Sequence, residues 1–288
     1  MIAGLECLPC LVRQAREMAL MTTEDTGEQK TILRRCLAFI AETDIDRSPP
    51  EIMHGIGELI TSITGVRDPY REIKSLHTDA ALELLPEMER IIEEARDPFI
   101  AGLKLAIAGN IIDLGARDSV SGDDIVHTLR EAVHEPLRGT DPMKLKAAVQ
   151  SSSKILYLAD NAGETVFDRK FLEQFPAGGV TVAVRGAPAL NDATLEDARS
   201  AGLHRVADLM DNGSGAPATV LSDCSEEFRR IFNEADMIIA KGQGNYESLS
   251  NCEAGIHFLF RVKCRLVEEQ CGHPLGSLVL LHSRESAD

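Results

Sequence analysis

The fold of this chain is indicated by one stretch, Lys154-Ile-Leu-Tyr-Leu-Ala-Asp-Asn-Ala-Gly-Glu-Thr-Val-Phe-Asp168. Its apolar run at residues 155–159 is too short for a helix and rich in β-forming residues, which is typical of a buried strand. The run stops at Asp160 and Asn161, a glycine turn follows, and residues 164–174 have a helical pattern. Ligands of open parallel sheets bind at the edge where strands end, and helix N-termini favour anions. The stretch therefore predicts a metal and phosphate site at a sheet edge.

Short apolar runs and helical patterns alternate along the chain from about residue 150. The apolar runs are residues 155–159, 180–184, 205–210, 237–240, 265–267 and 277–281. The helical patterns are residues 164–174, 194–201, 225–235 and 246–260. This alternation is typical of a doubly wound, mostly parallel α/β/α layer of the Rossmann-like kind.

The earlier part of the chain is helical in pattern. Helices are predicted over residues 8–21, 30–43, 50–63, a segment that ends near 76, 78–96 with a kink or break at Pro86, and 98–108. We therefore predict an α/β protein with a helical N-terminal domain at residues 1–150 and an α/β/α domain at residues 151–288. The site is expected at the C-terminal edge of the strands in the second domain.

The predicted strands end at polar or glycine-containing segments. These segments are Asp160-Asn161, Arg185-Gly186, Asp211-Asn212-Gly213 and Lys241-Gly242. Because parallel strands place their carboxyl ends at one edge of a sheet, we expect these groups to line one crevice.

Asp160, Asn161 and Asp192 supply hard oxygen ligands. Such side chains suit Mg²⁺, Mn²⁺ or another divalent ion, and they leave coordination places for water and a phosphoryl oxygen. The alternative is structural: Asn161 would be a turn residue, and Asp192 would cap a helix that begins near Thr194. The residues alone leave both interpretations open.

Two further segments carry candidate ligand-binding residues. Lys241-Gly242-Gln-Gly-Asn245 follows a predicted strand, and backbone N–H groups with a lysine are able to hold phosphoryl oxygens. A plain tight turn is the alternative. Asn110 and Asp113 are three residues apart and would share a face of a continuing helix, whereas Asn110 would otherwise end the helix after Gly109.

Composition narrows the classes of partner. The chain has 288 residues, with 30 Lys plus Arg against 46 Asp plus Glu and a formal net charge of −16. This charge disfavours nucleic acid and anionic membranes as general partners. The apolar stretches are interrupted before they reach the length of a membrane span, and the N-terminus lacks the features of a signal peptide. Seven cysteines, an odd number, favour reduced thiols and hence a cytoplasmic protein.

Cys7-Leu-Pro-Cys10 has the spacing of a redox or metal-binding pair. A structural zinc site needs four ligands, and no second pair with this spacing is present. Reduced, partly buried thiols are the simpler interpretation, and a redox or zinc role for Cys7 and Cys10 is the alternative.

Several segments in combination resemble the damage-control phosphatase family, which was long catalogued only as a domain of unknown function. They are Cys7-x-x-Cys10, residues 108–113, 160–164 with Phe167-Asp168, 184–188 with 191–194, 211–213 and 241–245. The paired N-terminal cysteines are similar to those of the prokaryotic, stand-alone branch. The resemblance extends from residue 7 to about residue 281.

The resemblance implies a metal-dependent phosphatase with a helical N-terminal part and an α/β/α C-terminal part. Family members use Co²⁺, Ni²⁺, Mn²⁺ or Mg²⁺ and act on small phosphorylated metabolites, often damaged or surplus ones. By position, the metal ligands of the family fall on Asp160, Asn161 and Asp192, and its C-terminal lysine falls on Lys263. The surrounding Phe260-Arg-Val-Lys263 differs from the Arg-Thr-x-Lys of the eukaryotic branch.

We therefore expect hydrolysis of the phosphomonoester of a small metabolite, with one divalent ion on Asp160, Asn161 and Asp192. Candidates for neutralising or binding the phosphate are Lys241, Lys263, Arg185, Asn110, Gly242 and Asn245. Glu164 or Asp113 would orient water or a metal-bound ligand, and direct attack by Asp160 is an alternative. The competing hypothesis is a non-catalytic module that binds a metal or phosphate, with Cys7 and Cys10 as a redox or zinc element.

Overall fold

The computed structural model describes residues 1–109 and 122–284, and this part forms thirteen α-helices and seven strands. The helices are α1 (Cys7–Thr22), α2 (Thr26–Glu42), α3 (Pro49–Thr64), α4 (Arg71–Glu83), α5 (Leu85–Glu94), α6 (Pro98–Ala108), α7 (Gly122–His134), α8 (Pro142–Ser151), α9 (Glu164–Leu172), α10 (Leu195–Ser200), α11 (Glu226–Glu234), α12 (Gly242–Leu249) and α13 (Arg265–Cys271). The strands are β1 (Leu137–Gly139), β2 (Ile155–Leu158), β3 (Val180–Val184), β4 (Asp208–Asp211), β5 (Met237–Lys241), β6 (Ile256–Arg261) and β7 (Leu278–His282).

The strands form one sheet in the order β1-β7-β6-β5-β2-β3-β4. Neighbouring strands are parallel, except that β6 and β7 are antiparallel. Since β5, β2, β3 and β4 are adjacent and parallel, their carboxyl ends share one edge of the sheet. The prediction of a doubly wound, mostly parallel α/β fold is confirmed.

Helices cover both faces of the sheet. Along β2, Ile155 and Tyr157 pack into one core, and Leu156 and Leu158 pack into the other. Both faces are thus buried, which explains why β2 is a continuous apolar run rather than an alternating one. The first core includes residues of α6, α8 and α9, and the second includes residues of α11, α12 and α13.

Helices α1, α2 and α3 enclose a third core around Ile32, Ile52 and Ile56. Helix α3 begins with a capping box, in which Glu51 Oε2 accepts hydrogen bonds from the backbone N and the hydroxyl of Ser48 at 2.8 and 2.7 Å. Strand β1 also belongs to the N-terminal 150 residues, and it pairs with β7 from the C-terminal part of the chain. The division into domains at residue 150 stays a prediction.

Two elements differ in type from the prediction. The helix predicted over residues 246–260 ends at Leu249, and residues Ile256–Arg261 form β6. Because β6 is buried on both faces, its nearly continuous apolar run does not show the alternation that distinguishes a strand from a helix. The strand predicted at residues 265–267 is the start of α13, since a run of three residues is too short to define a period.

Most of the remaining elements follow the prediction, with small shifts at their ends. The boundary predicted between residues 76 and 78 is wrong, because α4 is continuous from Arg71 to Glu83. Helices α7 and α8 and strand β1 were not predicted. The break near Pro86 is confirmed, because α4 ends at Glu83 and α5 begins at Leu85 with the proline in its first turn. The run at residues 205–210 becomes β4 only from Asp208, after a 3₁₀ turn at Leu203–Arg205. None of the helices in the described residues combines the length and apolar character that a membrane span requires.

Candidate functional site

The carboxyl ends of β2 to β5 bring several predicted residues together. Asp160 and Asn161 follow β2, Arg185 follows β3, and Lys241 ends β5. A bridge of backbone hydrogen bonds pairs Asn161 with Asp192, so the loop after β3 returns to the end of β2. The sheet therefore gathers the three predicted metal ligands at one place.

Asp160 is a buried carboxylate close to two other carboxylates. It is 7% exposed, and burial together with the charges of Glu164 and Asp192 raises its pKa well above the usual value, against the opposing charges of Lys263 and Arg185. A buried carboxylate next to two others is stabilised by a cation. The position of Asp160 thus favours the binding of a positive ion.

Gly242 lies directly against Asp160. Its φ of +82° is in the left-handed region, and a Cβ atom at this position would be 1.9 Å from Asp160 Oδ2. Both the backbone conformation and the close approach require glycine. The carboxylate therefore rests on the first residue of α12, where backbone N–H groups lack helical partners.

Asp192 is held by two hydrogen bonds from different segments. Its Oδ2 accepts from Arg185 Nε at 2.7 Å and from the backbone N of Ala218 at 2.8 Å. No described residue donates a hydrogen bond to Oδ1 of Asp192. Arg185 also donates from its two terminal nitrogens, to Thr219 Oγ1 at 3.1 Å and to the carbonyl oxygen of Ala159 at 2.9 Å. The Asp192 carboxylate is thus held in position through its Oδ2 atom.

Asn161 is connected to a buried ion pair. Its Nδ2 donates to Glu164 Oε1 at 2.7 Å, and Lys241 Nζ contacts Glu164 Oε2 at 3.4 Å and Asp168 Oδ1 at 2.6 Å. Tyr157 donates from its hydroxyl to the same Asp168 oxygen at 2.8 Å. Burial alone would lower the pKa of Lys241, but the charges of Asp168 and Glu164 outweigh it and raise that pKa. Lys241 therefore remains charged inside the protein.

The other substrate-side candidates lie around this centre. Asn245 is fully buried and donates from Nδ2 to the carbonyl oxygens of Lys241 and Ala159 at 2.7 and 3.2 Å, which ties α12 to the end of β2. Lys263 is exposed after β6, and its charge acts to lower the pKa of Asp160. Asn110 and Asp113 lie outside the described residues.

Cys7 and Cys10 are half-buried free thiols at the start of α1. Burial is the main cause of the raised pKa of Cys7, and Cys10 Sγ accepts a hydrogen bond from Arg13 at 3.2 Å. In the part of the chain that the structure describes, no three His, Cys, Asp or Glu side chains are grouped as ligands of a metal ion.

The donor set of Asp160, Asn161 and Asp192 fits a hard divalent ion. The Asn161 amide uses its nitrogen toward Glu164, so that its oxygen is the end suited to a cation. Oδ2 of Asp192 accepts two hydrogen bonds, so Oδ1 is the oxygen of this carboxylate that is better suited to a cation. Two carboxylates and an amide are ligands that Mg²⁺ and Mn²⁺ accept, with places left for water.

A cleft of about 820 Å³ lies beside the loops that hold Asp192. One wall is formed by α3 and the segment that follows it, and the other by the loops after β3 and β4. Its lining includes Met53, His54, Gly57, Arg67, Ala187, Leu190, Gly215 and Pro217. This volume is in the range of small-molecule sites.

Four residues of the site were not predicted from the sequence. Thr219, Ala218 and Tyr157 contact the predicted residues only through tertiary structure, and no local motif marks them. Asp168 carried a signal, because it lies four residues after Glu164 and so shares its face of α9.

Fold and site define an open α/β protein with an acidic, oxygen-rich centre at the carboxyl edge of its sheet. The family model that describes the damage-control phosphatase ARMT1-like domain matches residues 4–279. The chain belongs to the damage-control phosphatase family.

Two relatives span almost the whole chain. The chain is 34% identical to a damage-control phosphatase of Archaeoglobus fulgidus, over 95% of this chain and 96% of the relative. It is 30% identical to a damage-control phosphatase of Pyrococcus horikoshii, over 97% of each chain. A crystal structure of a DUF89 family protein from Pyrococcus horikoshii superposes with a TM-score of 0.90 and 30% identity, over 99% of this chain and 100% of the other.

Proposed function

We propose that the protein is a metal-dependent phosphatase that hydrolyses phosphomonoesters of small metabolites, as in metabolite repair. The observation that carries the proposal is the backbone bridge between Asn161 and Asp192, with Asp160 adjacent in the chain. It brings three oxygen-bearing residues together at the end of two parallel strands. Membership of the damage-control phosphatase family supports the same activity.

Asp160, Asn161 and Asp192 would hold one divalent ion, for which Mn²⁺, Co²⁺, Ni²⁺ and Mg²⁺ are the candidates. Such an ion supplies Lewis acidity toward a phosphoryl oxygen and lowers the pKa of water. The protein's contribution is to hold the three side chains in fixed positions before the substrate binds.

Three cations would supply positive charge near the bound phosphate, and they differ in how deeply they are buried. Lys263 is exposed and would contact the phosphoryl oxygens directly, together with N–H groups at the start of α12, from Gly242 onward. Lys241 and Arg185 are buried against protein acceptors and would contribute through their charge. Asn245 would hold the start of α12 in place.

Glu164 would orient the attacking water, because it is adjacent to Asn161 and its charge is balanced by Lys241. Asp113 is the second candidate for this role. Direct attack by Asp160 would form an aspartyl-phosphate instead. Trapping with borohydride during turnover distinguishes the routes, since it reduces an aspartyl-phosphate at Asp160 to homoserine, whereas direct attack by water forms no acyl phosphate to reduce.

The cleft beside Asp192 would receive the part of the substrate that is not phosphate. It borders the loops that carry Asp192 and Ala218, and helix α3 lines its other wall. A metabolite bound there would extend from the sheet edge toward the N-terminal helices. The side chains of α3, including His54, would then select among metabolites.

The test is phosphate release from a panel of small phosphomonoesters. Protein stripped of metal by a chelator is assayed with Mg²⁺, Mn²⁺, Co²⁺ or Ni²⁺ added back singly. We expect at least one metal to restore turnover, and the best ester to indicate the substrate class. No turnover across the panel from folded, metal-bound protein would contradict the proposal and favour a non-catalytic binding module.

We also propose a cytoplasmic location, because all seven cysteines are free thiols, the state that a reducing compartment maintains. Fractionation of the source cells tests this, and recovery in an oxidising compartment with disulfides would contradict it.

A further inference from the structure

Arg185 is a buried cation whose guanidinium group is held by protein acceptors. It is 2% exposed, and all three of its nitrogen atoms donate to protein acceptors: Asp192, Thr219 and the carbonyl oxygen of Ala159. The fork of the guanidinium is thus fully oriented by the protein. Its shortest hydrogen bond, at 2.7 Å, goes to Asp192.

The second donor to Asp192 comes from a backbone in an unfavourable conformation. Ala218 has a φ of +59°, in the left-handed region that non-glycine residues avoid, and its N–H donates to the same Oδ2 at 2.8 Å. Leu190, two residues before Asp192, has a φ of +50°. Among the described residues, these are the two non-glycine residues with positive φ. Backbone strain of this kind persists where surrounding contacts impose it, and it concentrates at functional sites.

Both strained residues are connected to the rest of the fold. Leu190 packs against the core of α1, α2 and α3, and Ala218 is buried next to Thr219, which accepts the hydrogen bond from Arg185. The surroundings of Asp192 therefore include β3, the loop after β4 and the N-terminal helices. A residue that only capped a helix or formed a turn would not need contacts with so many segments.

We propose that Arg185 and Thr219 are positioning residues, which orient Asp192 so that Oδ1 is presented to the metal ion. This inference rests on the proposed function. Arg185 and Ala218 together occupy Oδ2, and Thr219 in turn fixes the guanidinium plane through its hydroxyl. Partners of metal ligands set the orientation of those ligands, and their loss weakens metal affinity.

The test is Mn²⁺ binding by chelator-stripped protein, followed by the electron paramagnetic resonance signal of free Mn²⁺. Thr219→Val removes the hydroxyl and keeps the shape of the side chain, whereas the control Thr219→Ser keeps the hydroxyl. We expect Thr219→Val to weaken Mn²⁺ binding about 10-fold, the lower end of the range for such partners, and Thr219→Ser to change it by less than about 3-fold. Arg185→Lys, which keeps the charge and loses the fork, should weaken binding at least as much.

A purely structural role gives a different result. Each variant is also unfolded in urea without metal, and affinity is compared per folded molecule. Lower stability with unchanged Mn²⁺ affinity in both Thr219→Val and Arg185→Lys would overturn the inference. Thr219→Val carries the test if Arg185→Lys does not fold.

Two further measurements separate this inference from its premise. If Arg185 were a phosphate ligand, Arg185→Lys would weaken binding of inorganic phosphate and leave Mn²⁺ affinity intact, which also overturns the inference. Asp192→Ala tests the premise. If it abolishes Mn²⁺ binding while Thr219→Val has no effect, only the positioning role is wrong. If Asp160→Ala and Asp192→Ala both bind Mn²⁺ normally, the proposed metal site itself is wrong.

Discussion

Replacing Gly242 with alanine tests how strictly the fold places Asp160. Gly242 and Gly272 both have positive φ, +82° and +73°, and both lie at a helix end. They differ in their surroundings: a Cβ at Gly242 would be 1.9 Å from Asp160 Oδ2, whereas a Cβ at Gly272 has no atom within 4 Å. Gly272→Ala is therefore a matched control for the backbone effect.

The expected loss of activity follows from two effects. The backbone strain of an alanine with positive φ is common to both variants, whereas the clash with Asp160 occurs only in Gly242→Ala. Alanine in the left-handed region costs about 1–2 kcal/mol at either position, so both variants should lose stability by that amount. At Gly242 the Asp160 carboxylate must additionally move by about 1.5 Å to reach ordinary van der Waals contact. A displacement of about 1 Å at a reacting centre is able to cost roughly 100-fold in rate. We therefore expect kcat/KM to fall about 100-fold in Gly242→Ala and to be unchanged in Gly272→Ala.

The assay is phosphate release with the metal that best supports turnover, alongside urea unfolding of each variant. Wild-type kcat/KM in a folded Gly242→Ala protein would refute the reasoning, because Asp160 would then not need its observed position. An equal loss of activity in Gly272→Ala would show that general destabilisation, rather than contact with Asp160, causes the effect.

Three further predictions concern the charges and thiols. Lys241→Met should lower the free energy of unfolding by about 3–5 kcal/mol, because it removes the ion-pair partner of the buried Asp168 carboxylate. The control Arg230→Met, at an exposed ion pair, should change the free energy of unfolding by less than about 1 kcal/mol. Equal urea midpoints of the two variants would contradict this prediction. The folded-state pKa of Asp160 is raised, so ionisation of Asp160 destabilises the metal-free fold as pH rises. Asp160→Asn should therefore be more stable than wild type at pH 8 in chelator, by about 1 kcal/mol, and the difference should shrink toward pH 4; a pH-independent difference argues against it. The Cys7→Ser/Cys10→Ser variant should retain metal-dependent turnover if folded, and loss of turnover together with bound zinc would support the redox or zinc alternative.

The strand, turn and helix around Asp160 were predictable because their signals are local. The run at residues 155–159 is apolar on both faces, since β2 is central in the sheet, and the glycine turn separates it from α9. The same logic fails at β6, which is equally buried, although residues 250–255 separate it from α12 and end in a glycine. Local periodicity thus does not distinguish a strand that is buried on both faces from the continuation of a helix.

The candidate ligands were predictable by type, but their supports were not. Asp160, Asn161 and Asp192 are oxygen-bearing residues at predicted strand ends, which a parallel sheet brings to one edge. Thr219 reaches Arg185 from a loop 34 residues away, and nothing in an Ala-Thr sequence indicates a left-handed alanine. Such contacts depend on how loops pack, and that is a property of the complete fold.

The central claim is that Asp160 binds a metal that phosphate release requires. The most direct measurement compares wild type and Asp160→Ala in the same chelator-stripped preparation, by Mn²⁺ binding and by phosphate release after metal is added back. We predict that wild type binds Mn²⁺ and recovers turnover with at least one of the four metals, and that Asp160→Ala is folded but has lost both properties. Normal turnover in Asp160→Ala would contradict the account.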